Sequence, residues 1–142
     1  MNLFLYLLPL VIILILYFVI KYLEKTKAQK ILKNYNKEEI KAFSSNVNYF
    51  GVKSKGMTQI RGNGALLLTK EYLFFQMWIP KKEIKIPLDK IEKIEEVRSF
   101  LGKSKFMPLL KIDFIDENGQ KNSAAWLVKN LQKWKQIINE NR

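Results

Sequence analysis

Residues 110–126 read LKIDFIDENGQKNSAAW, and their pattern decides the architecture of most of the chain. Leu110, Ile112 and Phe114 alternate with Lys111 and Asp113, the period of two that sends apolar side chains to one face of a strand and charged ones to the other. Asn118-Gly119 is a strong hairpin-turn signal, since both residue types tolerate positive φ. Residues 120–126 are therefore predicted to return antiparallel against the first strand.

The same texture continues toward the N-terminus. Gly62, Asn63 and Gly64 are read as a tight turn before a strand at 65–69, Lys70-Glu71 separates that strand from 72–79, and residues 80–83 turn into 84–88. Residues 91–98 are read as a further strand, although Ile91, Ile94 and Val97 also recur at every third position. Short apolar runs punctuated by turn residues from Val47 to Trp126 predict an antiparallel all-β unit. Toward the C-terminus the period changes. Leu131, Trp134, Ile137 and Ile138 make one face of a helix with Asn130 as its N-cap, expected to cover an open end of the sheet.

The first stretch, residues 3–20, is LFLYLLPLVIILILYFVI and holds no charged side chain. At about 1.5 Å per residue it makes a helix roughly 27 Å long, close to the hydrocarbon thickness of a bilayer, and it is read as a transmembrane anchor. Met1 and Asn2 precede it and Lys21, Tyr22, Leu23, Glu24 and Lys25 follow, which are not the flanks of a cleavable signal peptide. Lys21, Lys25, Lys27, Lys30 and Lys33 crowd its C-terminal side. The positive-inside rule then puts the N-terminus outside and the rest of the chain in the cytoplasm of a cell expected to carry it in its plasma or inner membrane. Phe4 and Tyr6 at one end and Tyr17, Phe18 and Tyr22 at the other suit interfacial aromatic belts, with Lys21, Tyr22, Lys25 and Lys27 at the membrane surface. Pro9 is tolerated near a helix end, and the run has neither small residues for helix contact nor ionisable groups to line a path, so it reads as a tether.

Residues 21–45 form a basic helical linker by pattern. Ala28, Ile31, Leu32 and Tyr35 continue a helical stripe, and Asn36 with Glu39 resembles a capping box that would start a short helix at 37–44, burying Ile40 and Phe43. Between Lys21 and Lys41 seven lysines face Glu24, Glu38 and Glu39, a juxtamembrane surplus suited to an anionic leaflet. Residues 46–142 are left for one domain with a single core. The net charge of +12 lies wholly outside the anchor, and a basic surface suits anionic lipid or nucleic acid, unless it only mirrors a Lys-rich, Ile-rich and Asn-rich composition. The chain has no cysteine and no histidine. Disulfides, thiol chemistry, Cys/His zinc sites and His-based nucleophilic catalysis are thereby excluded.

The run Gly64-Ala-Leu-Leu-Leu-Thr69, Tyr72-Leu-Phe-Phe75, Ile86-Pro-Leu88 with Ile91, Leu110-Lys-Ile-Asp-Phe114 and a closing helix carrying Trp134 resembles a GRAM domain, a branch of the pleckstrin-homology-like fold. The resemblance covers roughly residues 61–138 and is closest to membrane-anchored members of bacterial type. It implies a bent, barrel-like antiparallel sheet of about seven strands capped by the helix, and a role in binding lipid head groups or protein segments without catalysis. In phosphoinositide-binding members of the wider fold the basic site lies in the early strand-loop-strand, near Lys53 and Lys55 here.

Two loops carry the candidate site. Lys53-Ser-Lys-Gly56 is one, and Gly102-Lys-Ser-Lys105, beside Arg98 and flanked by Phe100, Leu101, Phe106 and Met107, is the other. Lys53, Lys55, Arg98, Lys103 and Lys105 are thus the expected contacts to anionic lipid or a partner, cations on phosphates with apolar side chains among acyl chains. Gly102-Lys103-Ser104 is no phosphate loop, since Val97 stands where its first glycine belongs. Asp89, Glu92, Glu95 and Glu96 are interleaved with Lys90 and Lys93 and read as a solvated edge. Trp78, Trp126 and Trp134 read as core residues, and no nucleic-acid platform, cofactor or metal is expected. The expectation is a single-pass, membrane-anchored, non-catalytic binding or scaffold module for a protein partner or anionic lipid. Its variants are a domain with a specific lipid-headgroup site and a small accessory subunit of a membrane enzyme or transporter.

Overall fold

Strand β1 (Ala42–Val52) holds the sheet together because it pairs on both sides. It runs antiparallel to β2 (Gly62–Leu68), and its later residues also pair with β7 (Lys121–Leu127). Its register shifts between Ser44 and Val47 and again between Tyr49 and Gly51. Such bulges bend a strand and strengthen its twist. The second one puts Gly51 at φ 126°, a conformation that side chains rarely adopt.

The remaining strands are β3 (Tyr72–Met77), β4 (Lys82–Pro87), β5 (Ile91–Val97) and β6 (Leu109–Ile115). The chain forms one seven-stranded antiparallel sheet in the order β4-β3-β2-β1-β7-β6-β5, with one long apolar helix, α1 (Leu3–Lys33), before it and a helix, α2 (Leu131–Asn141), after it. The computed structural model describes residues 3–142, with side chains from Tyr6 onward.

Alternation divides the buried residues between two clusters. Tyr49 faces the larger one, where its ring lies 5.1 Å from Phe75 and 6.2 Å from Trp126, while its neighbour Phe50 joins Phe100, Leu109 and Ala125 in a smaller one. α2 closes the larger cluster with Leu131, Trp134 and Ile138. Truncating an aromatic of this kind costs about 3–5 kcal/mol, so Tyr49, Phe75 and Trp126 each contribute substantially to the unit's stability.

The chain divides into two compact units, Met1–Asn34 and Tyr35–Arg142. In the first, the anchor and the stripe that follows it form one uninterrupted helix of 31 residues, Pro9 included. Its described part, Tyr6–Lys33, has a mean hydropathy of 2.4 and is long and apolar enough to cross a membrane. The expectations for Met1, Asn2 and the Phe4 ring lie outside the described residues and side chains.

Some local expectations need correcting. Residues 37–44 do not form a helix. Asn36 and Glu39 do meet, with the Asn36 amide 3.4 Å from Glu39 Oε2, but they close one turn only. The Lys41 amide then donates to the Leu68 carbonyl at 2.8 Å, and residues 42–44 pair with residues 66–68 of β2. Sheet pairing overrides the local signal. Gly62, Asn63 and Gly64 are not a turn either, because they begin β2 and the connection lies at residues 53–61. Gly64 is required by close approach: a Cβ there would run into the Gln76 carbonyl and the Phe75 ring. Asn130 sits at the start of α2 with left-handed φ 55°, and its side chain caps nothing.

Candidate functional site

Gln59, in the β1–β2 connection, joins three segments at one end of the sheet. Its Oε1 accepts from the Val52 amide at 3.0 Å, and its Nε2 donates to the Val52 carbonyl at 2.6 Å and the Gly56 carbonyl at 2.5 Å, so the side chain imitates a strand partner. Lys82, the first residue of β4, donates to Gln59 Oε1 at 3.4 Å. Lys103, from the β5–β6 loop, donates to the Gln59 carbonyl at 2.6 Å. Gly102 packs so closely on Met57 that a Cβ at residue 102 would lie 2.7 Å from the Met57 methyl.

The charges at this junction are of one sign. Lys82 is drawn below the ordinary lysine value, first by burial and then by the ammonium groups of Lys55 and Lys103. Its Nζ also sits 5.0 Å from the centre of the Tyr49 ring, whose phenol burial pushes up. Among the described residues no carboxylate lies within salt-bridge distance of Lys55, Lys82 or Lys103. Two ammonium groups on Gln59 with a third near Lys82 are suited to an anion with several oxygens, since lysine binds phosphate as a movable point charge.

The structure brings together only part of the expected site. Lys55 and Lys103 converge. Lys53 instead lines a separate groove of about 510 Å³ with Glu92, Lys93, Lys111, Asp113 and Lys121. Arg98 and Lys105 are exposed on the β5–β6 loop, where the Arg98 carbonyl accepts from Ser104 Oγ at 2.7 Å. Of the apolar flanks, Phe100 is buried and Leu101 packs against its cluster, whereas Phe106 and Met107 are exposed. Sequence reading missed Lys82, Gln59 and the exposed Met57, Ile60 and Ile79. Lys82 follows a strand-turn signal that gives no hint of which other loops the turn will meet.

The acidic cluster is engaged elsewhere. Lys111 lies between Glu95 at 2.8 Å and Asp113 at 3.0 Å, and Lys93 also pairs with Glu95. These lysines hold the Glu95 carboxyl down at about 2. Glu96 accepts from Gln132 at 2.9 Å and Glu92 lies 3.8 Å from Lys121. Among the described residues no group of His, Cys, Asp or Glu is arranged to hold a metal ion.

No family model and no curated protein matches this chain. Solved structures do: one chain of a structure described as "The 8S snRNP Assembly Intermediate" superposes with a TM-score of 0.56 and 8% identity, over 74% of this chain and 83% of that one. At that identity the likeness concerns the fold alone.

Proposed function

We propose that this is a single-pass membrane protein whose α1 crosses the bilayer with the N-terminus outside, and whose cytoplasmic sheet domain, of the GRAM and pleckstrin-homology-like kind, is a non-catalytic module that binds anionic lipid. The observation that carries the reading is that Lys82 and Lys103 both donate to Gln59, with the Lys55 ammonium near enough to Lys82 to repel it and no carboxylate paired with any of the three among the described residues. Lysine density after the apolar run supports the orientation, and the α1 tether holds the domain at high effective concentration near lipid head groups.

Flotation of residues 35–142 with phosphatidylcholine vesicles, with and without phosphatidylserine, tests this. Binding should require the anionic lipid and be lost in Lys55→Glu/Lys82→Glu/Lys103→Glu, and inorganic phosphate should compete only if the site takes a free phosphate group. Equal, weak binding to both vesicles would sink the lipid reading and leave the protein-partner one. A reporter fused after Arg142 that is active only outside the cell would overturn the topology.

A further inference from the structure

Beside the cationic junction the same loops expose large apolar side chains that nothing in the domain covers. Phe106 is 93% exposed and Ile79 77%, and Met57, Ile60 and Met107 are each more than half exposed. They belong to one rim. Met57 packs on Gly102 of the β5–β6 loop, and a Cβ on Gly62 would lie 3.3 Å from the Ile79 carbonyl, so the β3–β4 turn flanks the first residue of β2. Apolar tips on segments that also carry Lys55, Arg61, Lys82, Lys103 and Lys105 have the composition of a surface that enters a head-group layer.

Phe106 is also held out by its backbone. It sits at φ 58° and Leu101 in the same loop at φ 50°, a region that bulky residues enter at a cost. The Phe106 amide donates to Ser104 Oγ at 3.0 Å, and that hydroxyl donates to the Arg98 carbonyl. The loop thus spends conformational strain to keep a phenylalanine in solvent, where it makes no packing contact in return.

We infer that this rim is a second membrane contact: Phe106, Met107 and Ile79, with Met57 and Ile60 beside them, insert into the leaflet from which the anchor emerges. The inference rests on the lipid reading above and adds penetration to it. Cations on the same segments select an anionic surface over an apolar protein groove, which would leave them desolvated and unpaired.

The absence of cysteine allows a clean test. Full-length Phe106→Cys, Ile79→Cys and, as a control in the β2–β3 turn, Lys70→Cys are labelled with an environment-sensitive dye and reconstituted in phosphatidylcholine vesicles with and without phosphatidylserine, containing spin-labelled lipid. Labels at 106 and 79 should shift blue and be quenched, and the label at 70 should not. Quenching at 106 and 79 in both vesicle types, unchanged by reversal of Lys55, Lys82 and Lys103, would uphold insertion while removing anion selectivity. Anionic flotation of the isolated unit with labels at 106 and 79 as unquenched as that at 70 would overturn insertion and leave the cationic site standing. Since all three positions are exposed, lost folding is checked by the thermal midpoint of each labelled protein.

Discussion

Two lysine clusters in this domain look alike as sequence and differ as physics. On the face of β5 and β6, Lys111 stands directly across from Glu95 in the strand register and two residues from Asp113 on the same side of its own strand. Sheet geometry therefore delivers two carboxylates to one ammonium, and Lys111 is held above the ordinary lysine value: burial pulls it down, but the bonds to Glu95 and Asp113 more than offset this. At the loop end, Lys82 from the start of β4 and Lys103 from the β5–β6 loop both donate to a neutral glutamine, with Lys55 near Lys82. Lys82 is held below the ordinary value there. The first cluster stabilises the domain and is electrically complete. The second has no paired carboxylate among the described residues.

The largest expected effect breaks the second cluster. With about 1 kcal/mol of attraction per lysine near an anionic surface, Lys55→Glu/Lys82→Glu/Lys103→Glu should lower vesicle binding on the order of a hundredfold. Its thermal midpoint should fall slightly, because glutamate cannot donate to Gln59 as Lys82 and Lys103 do and three carboxylates repel one another as the ammonium groups did, but the variant should remain folded. Unchanged flotation would end the distinction between the two clusters.

Next comes the residue that seats the cations. Gln59→Leu leaves the Val52 amide and carbonyl without their side-chain partners and should cost about 2 kcal/mol in a urea midpoint. Vesicle binding should fall several-fold with every lysine still present. A variant that unfolds no earlier yet binds as well would show that the three segments are positioned by something else.

How much of this was legible follows from the same contrast. The hairpin at 110–126 could be read because strand alternation and an Asn-Gly turn are local signals, and with it the face shared by Lys111 and Asp113, but its register could not: the connection takes residues 116–120 with Gly119 alone at positive φ, which sets Ile112 against Ala124. The C-terminal helix face was legible for the same reason. The start of β1 was not, since Asn36 and Glu39 just before it carry a capping signal for a helix that pairing of residues 42–44 with Leu66 to Leu68 overrules. The loop end was half legible: Lys55 and Lys103 stand out as loop lysines, but nothing local announces that Lys82 will join them or that Lys53, two residues from Lys55, will line a different groove. Contacts among loops depend on sheet closure, which no short window of sequence contains.

A smaller effect sharpens the first cluster. Lys111→Met should cost about 1 kcal/mol, limited by solvent access to the pair, and leave vesicle binding unchanged. The pH dependence has a definite sign. Glu95 titrates near 2 in the folded domain, below the usual carboxylate range, so its contribution is complete at neutral pH and is lost as pH falls from about 4.5 toward 2. Lys111 acts oppositely in alkali, its folded-state stabilisation disappearing as pH rises through its raised value. NMR of methylated lysines should find Lys82 deprotonating first and Lys111 last. The reverse order would refute the assignment of roles.

The smallest effect is the most discriminating. Lys93 and Lys121 are mostly exposed and paired at the surface, so Lys93→Gln/Lys121→Gln should change stability by a few tenths of a kcal/mol. It also removes positive charge from a domain that has it in excess, which lets it ask whether net charge or the junction controls binding. At physiological ionic strength fields from exposed charges are screened within about 8 Å, so lysines on the outer face of β5 and β7 should contribute little at the loop end and vesicle binding should stay within about twofold. At 0.01 M salt the screening length reaches roughly 30 Å, remote lysines begin to count, and the gap between this variant and the triple reversal should narrow. If Lys93→Gln/Lys121→Gln already loses as much binding at physiological salt as the triple reversal does, the domain is a diffuse polycation and the convergence on Gln59 has no special part in binding.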